Sequence, residues 1–222
     1  MSGSVIVISG IQLIELKEKG RCTIQLPEEL FDFDYQGHYF RRVKTVSLSI
    51  PCVAGPYTTV NATLRLLKNE IRINSNLTGG YAKNDDSDTR FRGNPVGIKA
   101  VATSSGQNDS GVFELNFRDD RYLPFEGAGA ISTWSIELTE DKALQQFDYD
   151  TISDVILHLK YTAREDAGSF KNEAVKHLKV AATGLAFTPT VGGYQTYKAF
   201  FSVFLIFWLP MIWNLQRLHE TE

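Results

Sequence analysis

The sequence predicts a mainly β protein: an antiparallel β-sandwich followed by one amphipathic helix and a hydrophobic C-terminal helix. Three observations carry this. Short runs of alternating apolar and polar residues recur with turn residues between them. The seven or eight runs do not alternate regularly with long helical patterns, so there is no βαβ alternation. After Arg164 the apolar spacing changes to a helical period.

The 222 residues suit one domain with an appendage and can bury a core, and 43% apolar with 12% aromatic residues fits a globular chain. A formal charge of -3 supplies no basic stripe for a nucleic-acid backbone. Nucleic acid is therefore not an expected partner.

Residues 1–19 read as a leader whose period fits a strand or a short helix. The start, MSGSVIVISG, has no cationic region ahead of its apolar patch and is a poor secretory signal. The domain is placed at 20–182. Pro27-Glu28-Glu29-Leu30-Phe31 reads as a helical turn with Pro first and acids where the helix dipole favours them. From His38 to Cys52, Phe40, Val46, Leu48 and Ile50 share one parity, and Arg41, Thr45, Ser47 and Ser49 share the wet one. Val60–Leu66 repeats the alternation, and Ile71-Arg72-Ile73 adds a short piece.

Residues 74–95 are rich in Asn, Gly, Asp and Ser. They lack the frame of a calcium-binding EF-hand loop and read as a mobile surface loop. Strands resume at Val96–Thr103, at Phe113, Leu115 and Phe117, and at Ala130, Trp134, Ile136 and Leu138. The last has Val155, Leu157, Leu159 and Tyr161 on one face and His158 and Lys160 on the other. Phe170, Ala174, His177, Leu178 and Ala181 then recur at helical spacing.

The tail, 183–222, holds an uncharged aromatic run from Ala199 to Trp213 between Lys198 and Arg217. A transmembrane helix over 199–215, with Tyr197, Trp208 and Trp213 as interfacial aromatics, is the reading taken first. A helix covered by a partner and an altered gene end stay open beside it.

Catalytic sets are missing from the sequence. No G-x-S-x-G elbow occurs, and Gly127-Ala128-Gly129 lacks the third glycine of a phosphate loop. Asp119, Asp120 and Glu126 resemble paired carboxylates of a carbohydrate-active sandwich, but Arg118 and Arg121 among them favour a salt-bridged loop. Asp148, Asp150 and Asp154 read as caps of backbone amides. Cys22 and Cys52 read as two half-buried thiols, and with scattered histidines they make no zinc site. No cofactor is expected, and the chain is expected not to be an enzyme.

Three stretches carry a resemblance. GHYFRRVKTVSLSIPCVAGPYTTVNATLRLL (37–67), QNDSGVFELNFRDDRYLPFEGAGAISTWSIEL (107–138) and FDYDTISDVILHLKYTARE (147–165) closely resemble the C-terminal TcB-binding domain of the A component of bacterial Tc toxin complexes, TcA. The similarity covers about residues 20 to 180, with several long motifs in the same order. In that family the A component is a large pentameric, syringe-like channel, and its C-terminal domains form the funnel on which the B–C cocoon docks.

The resemblance implies a non-catalytic protein–protein docking module whose partner is a TcB-type β-propeller protein, with homo-oligomerisation as a further expectation. It implies interface or interface-supporting roles for Asp109, Arg118, Asp119, Arg121, Tyr122, Pro124, Phe125, Glu126, Asp148 and Asp150. The channel and receptor-binding regions are not in this sequence, so the expected activity is docking without translocation. A membrane-anchored interaction protein and a carbohydrate-binding sandwich are the alternatives. Localisation follows the same split: a membrane through the C-terminal run, or the cytoplasm or secretion with a toxin complex.

Overall fold

A computed structural model describes residues 2–53, 55, 60–96, 100–105, 112–115, 123–139, 145 and 147–185. Among these residues are nine strands and three α-helices: β1 Ser2–Val7, α1 Gly10–Lys19, β2 Arg21–Leu26, α2 Glu28–Asp34, β3 His38–Pro51, β4 Val60–Arg72, β5 Phe91–Gly93, β6 Ala100–Ser105, β7 Val112–Leu115, β8 Ile131–Leu138, β9 Ile156–Glu165 and α3 Ser169–Leu185. The strands form two wholly antiparallel sheets. Sheet A has the order β1-β9-β3-β7. Sheet B has the order β2-β8-β4-β5, with β6 pairing β4 on the same side as β5.

The segment expected as a leader is built into the sandwich. β1 pairs along β9 from Ser2↔Tyr161 to Val7↔Ile156, and Ile6, Ile8 and Leu16 belong to the main core. Ser9 caps α1 in a capping box with Gln12, and Gly20 ends it in the left-handed region at φ 71. Gln12 also donates to the Thr23 carbonyl at 2.9 Å, which fixes α1 on β2.

Alternation reads β4 and β9 correctly. Val60, Ala62, Leu64 and Leu66 are buried on β4, and Leu157, Leu159 and Tyr161 on β9. β4 continues through a bulge at Leu66/Lys68 to Arg72, so Ile71-Arg72 is its end and not a separate piece.

β3 corrects the expected parity. Bulges between Tyr39/Arg42 and Val43/Thr45 shift the register, and each bulge changes which residues face inward. Arg41 and Val43 turn into the core, while Phe40 becomes half-buried at φ 53 under the Arg164 guanidinium. Beyond the second bulge Val46, Leu48 and Ile50 face inward, as the alternation predicts.

α3 packs Phe170, Ala174 and Leu178, the helical stripe expected for this segment. Phe170 and Ala174 form a second small core with Tyr81. Among the described residues no helix is long and apolar enough to cross a membrane. The run expected as a hydrophobic or transmembrane helix, 199–215, lies outside the described residues.

Candidate functional site

The turn Pro124-Phe125-Glu126-Gly127-Ala128-Gly129 links the two sheets. Its own bonds are Glu126 N–H to the Leu123 carbonyl at 3.2 Å and Ala128 N–H to the Phe125 carbonyl at 3.0 Å. It then staples to β3: Gly127 N–H donates to the Val43 carbonyl and Val43 N–H to the Ala128 carbonyl, each at 2.8 Å, and Ala130 N–H reaches the Arg41 carbonyl at 3.1 Å. On its other side Gly129 N–H donates to Asn69 Oδ1 of β4 at 2.7 Å. Asn69 Nδ2 donates to the Asn94 carbonyl at 2.9 Å, and Asn94 Nδ2 returns to the Gly127 carbonyl.

Two residues explain why this sequence is needed. Gly127 sits at φ 83, which favours glycine. Gly129 approaches β4 so closely that a Cβ there would lie 2.0 Å from the Glu70 carbonyl oxygen. Phe125, at φ 67 and 2% exposed, meets Trp134 edge to face with centroids 4.8 Å apart. Pro124 is buried. Glu126 alone of these projects outward, paired with Lys44 of β3.

Asp148 and Asp150 lie on a 3-10 turn, Tyr149–Thr151. Asp148 Oδ1 accepts the Asp150 N–H at 2.9 Å, and Asp154 Oδ1 accepts the Val155 N–H at 2.7 Å, the capping role expected for both. The Asp150 carbonyl receives Lys17 Nζ at 3.1 Å. Thr151 Oγ1 and Ser153 N–H reach the Val53 and Pro51 carbonyls, which seats this turn at the far end of β3. The connector holds Val43 and this turn holds Pro51. At about 3.3 Å per residue the two lie about 25 Å apart along the strand. The structure does not bring them together. Asp109, Arg118, Asp119, Arg121 and Tyr122 lie outside the described residues.

Sequence reasoning missed a buried ionic cluster beside the connector. Arg72 forks onto Glu28, with Nε 2.9 Å from Oε1 and Nη2 2.7 Å from Oε2. Arg41 reaches Glu28 Oε1 at 3.3 Å and also binds Asp32, whose second oxygen accepts the Tyr81 hydroxyl. Arg72 lies under three rings, 4.4 Å from Phe91, 4.9 Å from Tyr81 and 5.3 Å from Phe170. The cluster thus ties α2, β3, β4 and the 74–90 loop together and supports α3.

Burial pushes the Asp32 carboxyl up to about 6, against the pull of Arg41. Burial also raises the Tyr81 phenol, with Glu28 and Asp32 adding to it. The sequence held two signals of this cluster: Glu28 and Asp32 stand four apart on one helix face, and Arg72 sits between Ile71 and Ile73.

These charges answer one another and leave no working space. The gap between Glu28, Arg41 and Arg72 holds no water-sized void. A shallow surface groove of about 210 Å³ runs along Leu66–Asn69 and Gly93–Val96 at the β4 bulge. Among the described residues there is no group of three or more potential metal-ligating side chains. Cys22 and Cys52 are free and buried, and burial pushes the Cys22 thiol up to about 12.

The family model described as the Tc toxin complex TcA C-terminal TcB-binding domain matches residues 4–163. The chain belongs to this family. The match to the TcB-binding domain takes in most of β1 and all of α1, and ends before α3. Among curated relatives, "Toxin subunit YenA2" of Yersinia entomophaga is 36% identical over 173 residues, which is 75% of this chain and 12% of that relative. The TcB-binding domain here thus spans about an eighth of the relative it matches.

Two solved structures are also similar. "Cryo-EM structure of Yersinia pseudotuberculosis TcaA-TcaB" shares 24% identity over 74% of this chain and 10% of that one, with a TM-score of 0.43. "Cryo-EM structure of Morganella morganii TcdA4" shares 19% over 73% and 7%, with a TM-score of 0.44.

Proposed function

We propose that this TcB-binding domain is a non-catalytic docking module that holds a TcB-type β-propeller protein for assembly of a Tc toxin complex. The observation that carries the reading is the family match across 4–163. Support comes from the connector, a largely buried turn locked to β3 and β4 by backbone and Asn contacts, which fixes the exposed Glu126 in place. Such preformed surface binds with little loss of conformational freedom.

Within this reading the docking end is the connector end. Glu126 presents the contact and Pro124 and Phe125 hold it in place, while Arg118, Asp119, Arg121 and Tyr122 keep the interface role that the resemblance implies. Asp148 and Asp150, at the other end of β3, brace a turn. Asp109 stands outside the described residues, and this proposal gives it no role.

The test is to mix the purified chain with a TcB-type β-propeller protein and look for a joint peak by size-exclusion chromatography. A stoichiometric complex is expected. No detectable complex at high micromolar concentration overturns the proposal.

A further inference from the structure

β1 is an outer strand of sheet A, and among the described residues no strand pairs with its outward backbone edge. Ile8 N–H donates to the Val155 carbonyl at 3.1 Å, in line with the β1–β9 register. In an antiparallel ladder, hydrogen-bonded positions alternate. Ile8, Ile6 and Ser4 therefore bond β9, and the N–H and C=O groups of Gly3, Val5 and Val7 point away from it. Among the described residues β1 pairs with β9 alone.

Within β1 itself this edge carries no charge, proline or bulge. From Ser2 to Ile14 there is no charge and no proline, whereas native edges are commonly guarded by Lys, Pro or a bulge. The register with β9 runs without a shift. Val5 is 65% exposed and Val7 40%, and α1, which follows at once, adds Ile11 at 48% and Ile14 at 56%. One outer strand of sheet B differs: β2 turns Arg21, Thr23 and Gln25 outward.

We propose that this edge joins two copies of the chain through antiparallel β1–β1 pairing centred on Val5. The sequence suits itself in that register. Gly3 opposes Val7, Val5 opposes Val5, and Val7 opposes Gly3, so the three residues with free backbone groups in one copy meet the same three in the other. Every outward N–H and C=O of the trio then finds a partner. The small Gly3 faces the bulkier Val7, two valines meet at the centre, and no like charges are set opposite each other. Sheet A becomes one continuous eight-stranded sheet across the two-fold axis.

The test uses the full chain. Sedimentation velocity over a concentration series should show a monomer–dimer equilibrium, with the dimer lost in Val5→Lys, which sets two cations opposite each other. Val5→Pro should lose it as well, because only the outward N–H is removed. Under mild oxidation Val5→Cys should give a disulfide-linked dimer, since directly opposed residues of a hydrogen-bonded pair lie about 5.5 Å apart. Lys160→Cys, exposed on β9 one strand inward, should not.

A wild-type chain that stays monomeric overturns the proposal. So does a dimer that survives both Val5→Lys and Val5→Pro, or equal cross-linking from Val5→Cys and Lys160→Cys. A monomer that instead loses TcB-type partner binding on Val5→Lys assigns the edge to that partner and equally overturns self-pairing.

Discussion

Arg72 and Glu28 face each other across the base of the sandwich, with Arg72 Nη2 2.7 Å from Glu28 Oε2 and the side chains 1% and 8% exposed. The pair joins the end of β4 to the first turn of α2. Arg41 shares the same carboxylate from β3. Removing one partner of such a pair leaves a charge buried without compensation. Arg72→Met should therefore cost about 3–5 kcal/mol by urea denaturation. Glu28→Gln should cost at least as much, because it leaves two arginines. A loss below about 1 kcal/mol in both would mean the cluster does not hold these elements together.

Asp32 gives the cluster a pH signature. Its folded-state carboxyl titrates at about 6, above the unfolded value of about 3.9. The native state then binds the proton more tightly, and stability from this group increases as pH falls from about 7 towards 4. The stability difference between wild type and Asp32→Asn should shift in favour of wild type by on the order of 2 kcal/mol over that range. A flat difference across it would show that Asp32 does not titrate there.

Gly129 is fixed by its neighbour. The 2.0 Å approach of a Cβ to the Glu70 carbonyl oxygen is to backbone, which cannot swing aside. Gly129→Ala should cost about 3 kcal/mol or more, seen as a large drop in melting temperature. An unchanged transition would place the connector away from β4.

Trp134 is fully buried, with its indole N–H on Ser132 Oγ at 2.8 Å. Trp134→Ala should cost about 3–5 kcal/mol, read from chemical denaturation. Phe125→Ala removes the edge-to-face partner and should be similarly severe. A melting temperature unchanged by either would contradict their core placement.

The strand faces of β4 and β9 were legible in the sequence because neither strand is bulged where alternation was used to read it. The N-terminal half of β3 was not. Two bulges turn Arg41 inward and leave Phe40 half-buried, and a rule of two-residue alternation cannot register an inserted residue. The ionic cluster was hidden for a related reason. Glu28 and Asp32 on one helix face and Arg72 between two isoleucines hint at it, but Arg41 and Tyr81 join only through tertiary contacts far apart in sequence. The connector was recognisable as a rigid turn from its glycines, but its bonds to Asn69 and Asn94 depend on chain folding far from it in sequence.

The proposed docking end can be separated from its support by charge. Glu126 is 48% exposed in its side chain and paired with the partly exposed Lys44, so Glu126→Gln should change stability by no more than about 1 kcal/mol. A larger loss by thermal denaturation would make Glu126 a structural residue instead of a contact.

The most direct measurement of the central claim is calorimetric titration of a TcB-type β-propeller protein into wild type, Glu126→Lys and Asp148→Lys. The two substitutions lie at opposite ends of β3 and reverse one charge each. The account predicts saturable binding to wild type, at least about tenfold weaker binding to Glu126→Lys, equivalent to about 1.4 kcal/mol, and near wild-type binding to Asp148→Lys. No heat of binding with wild type, or a loss confined to Asp148→Lys, would contradict it.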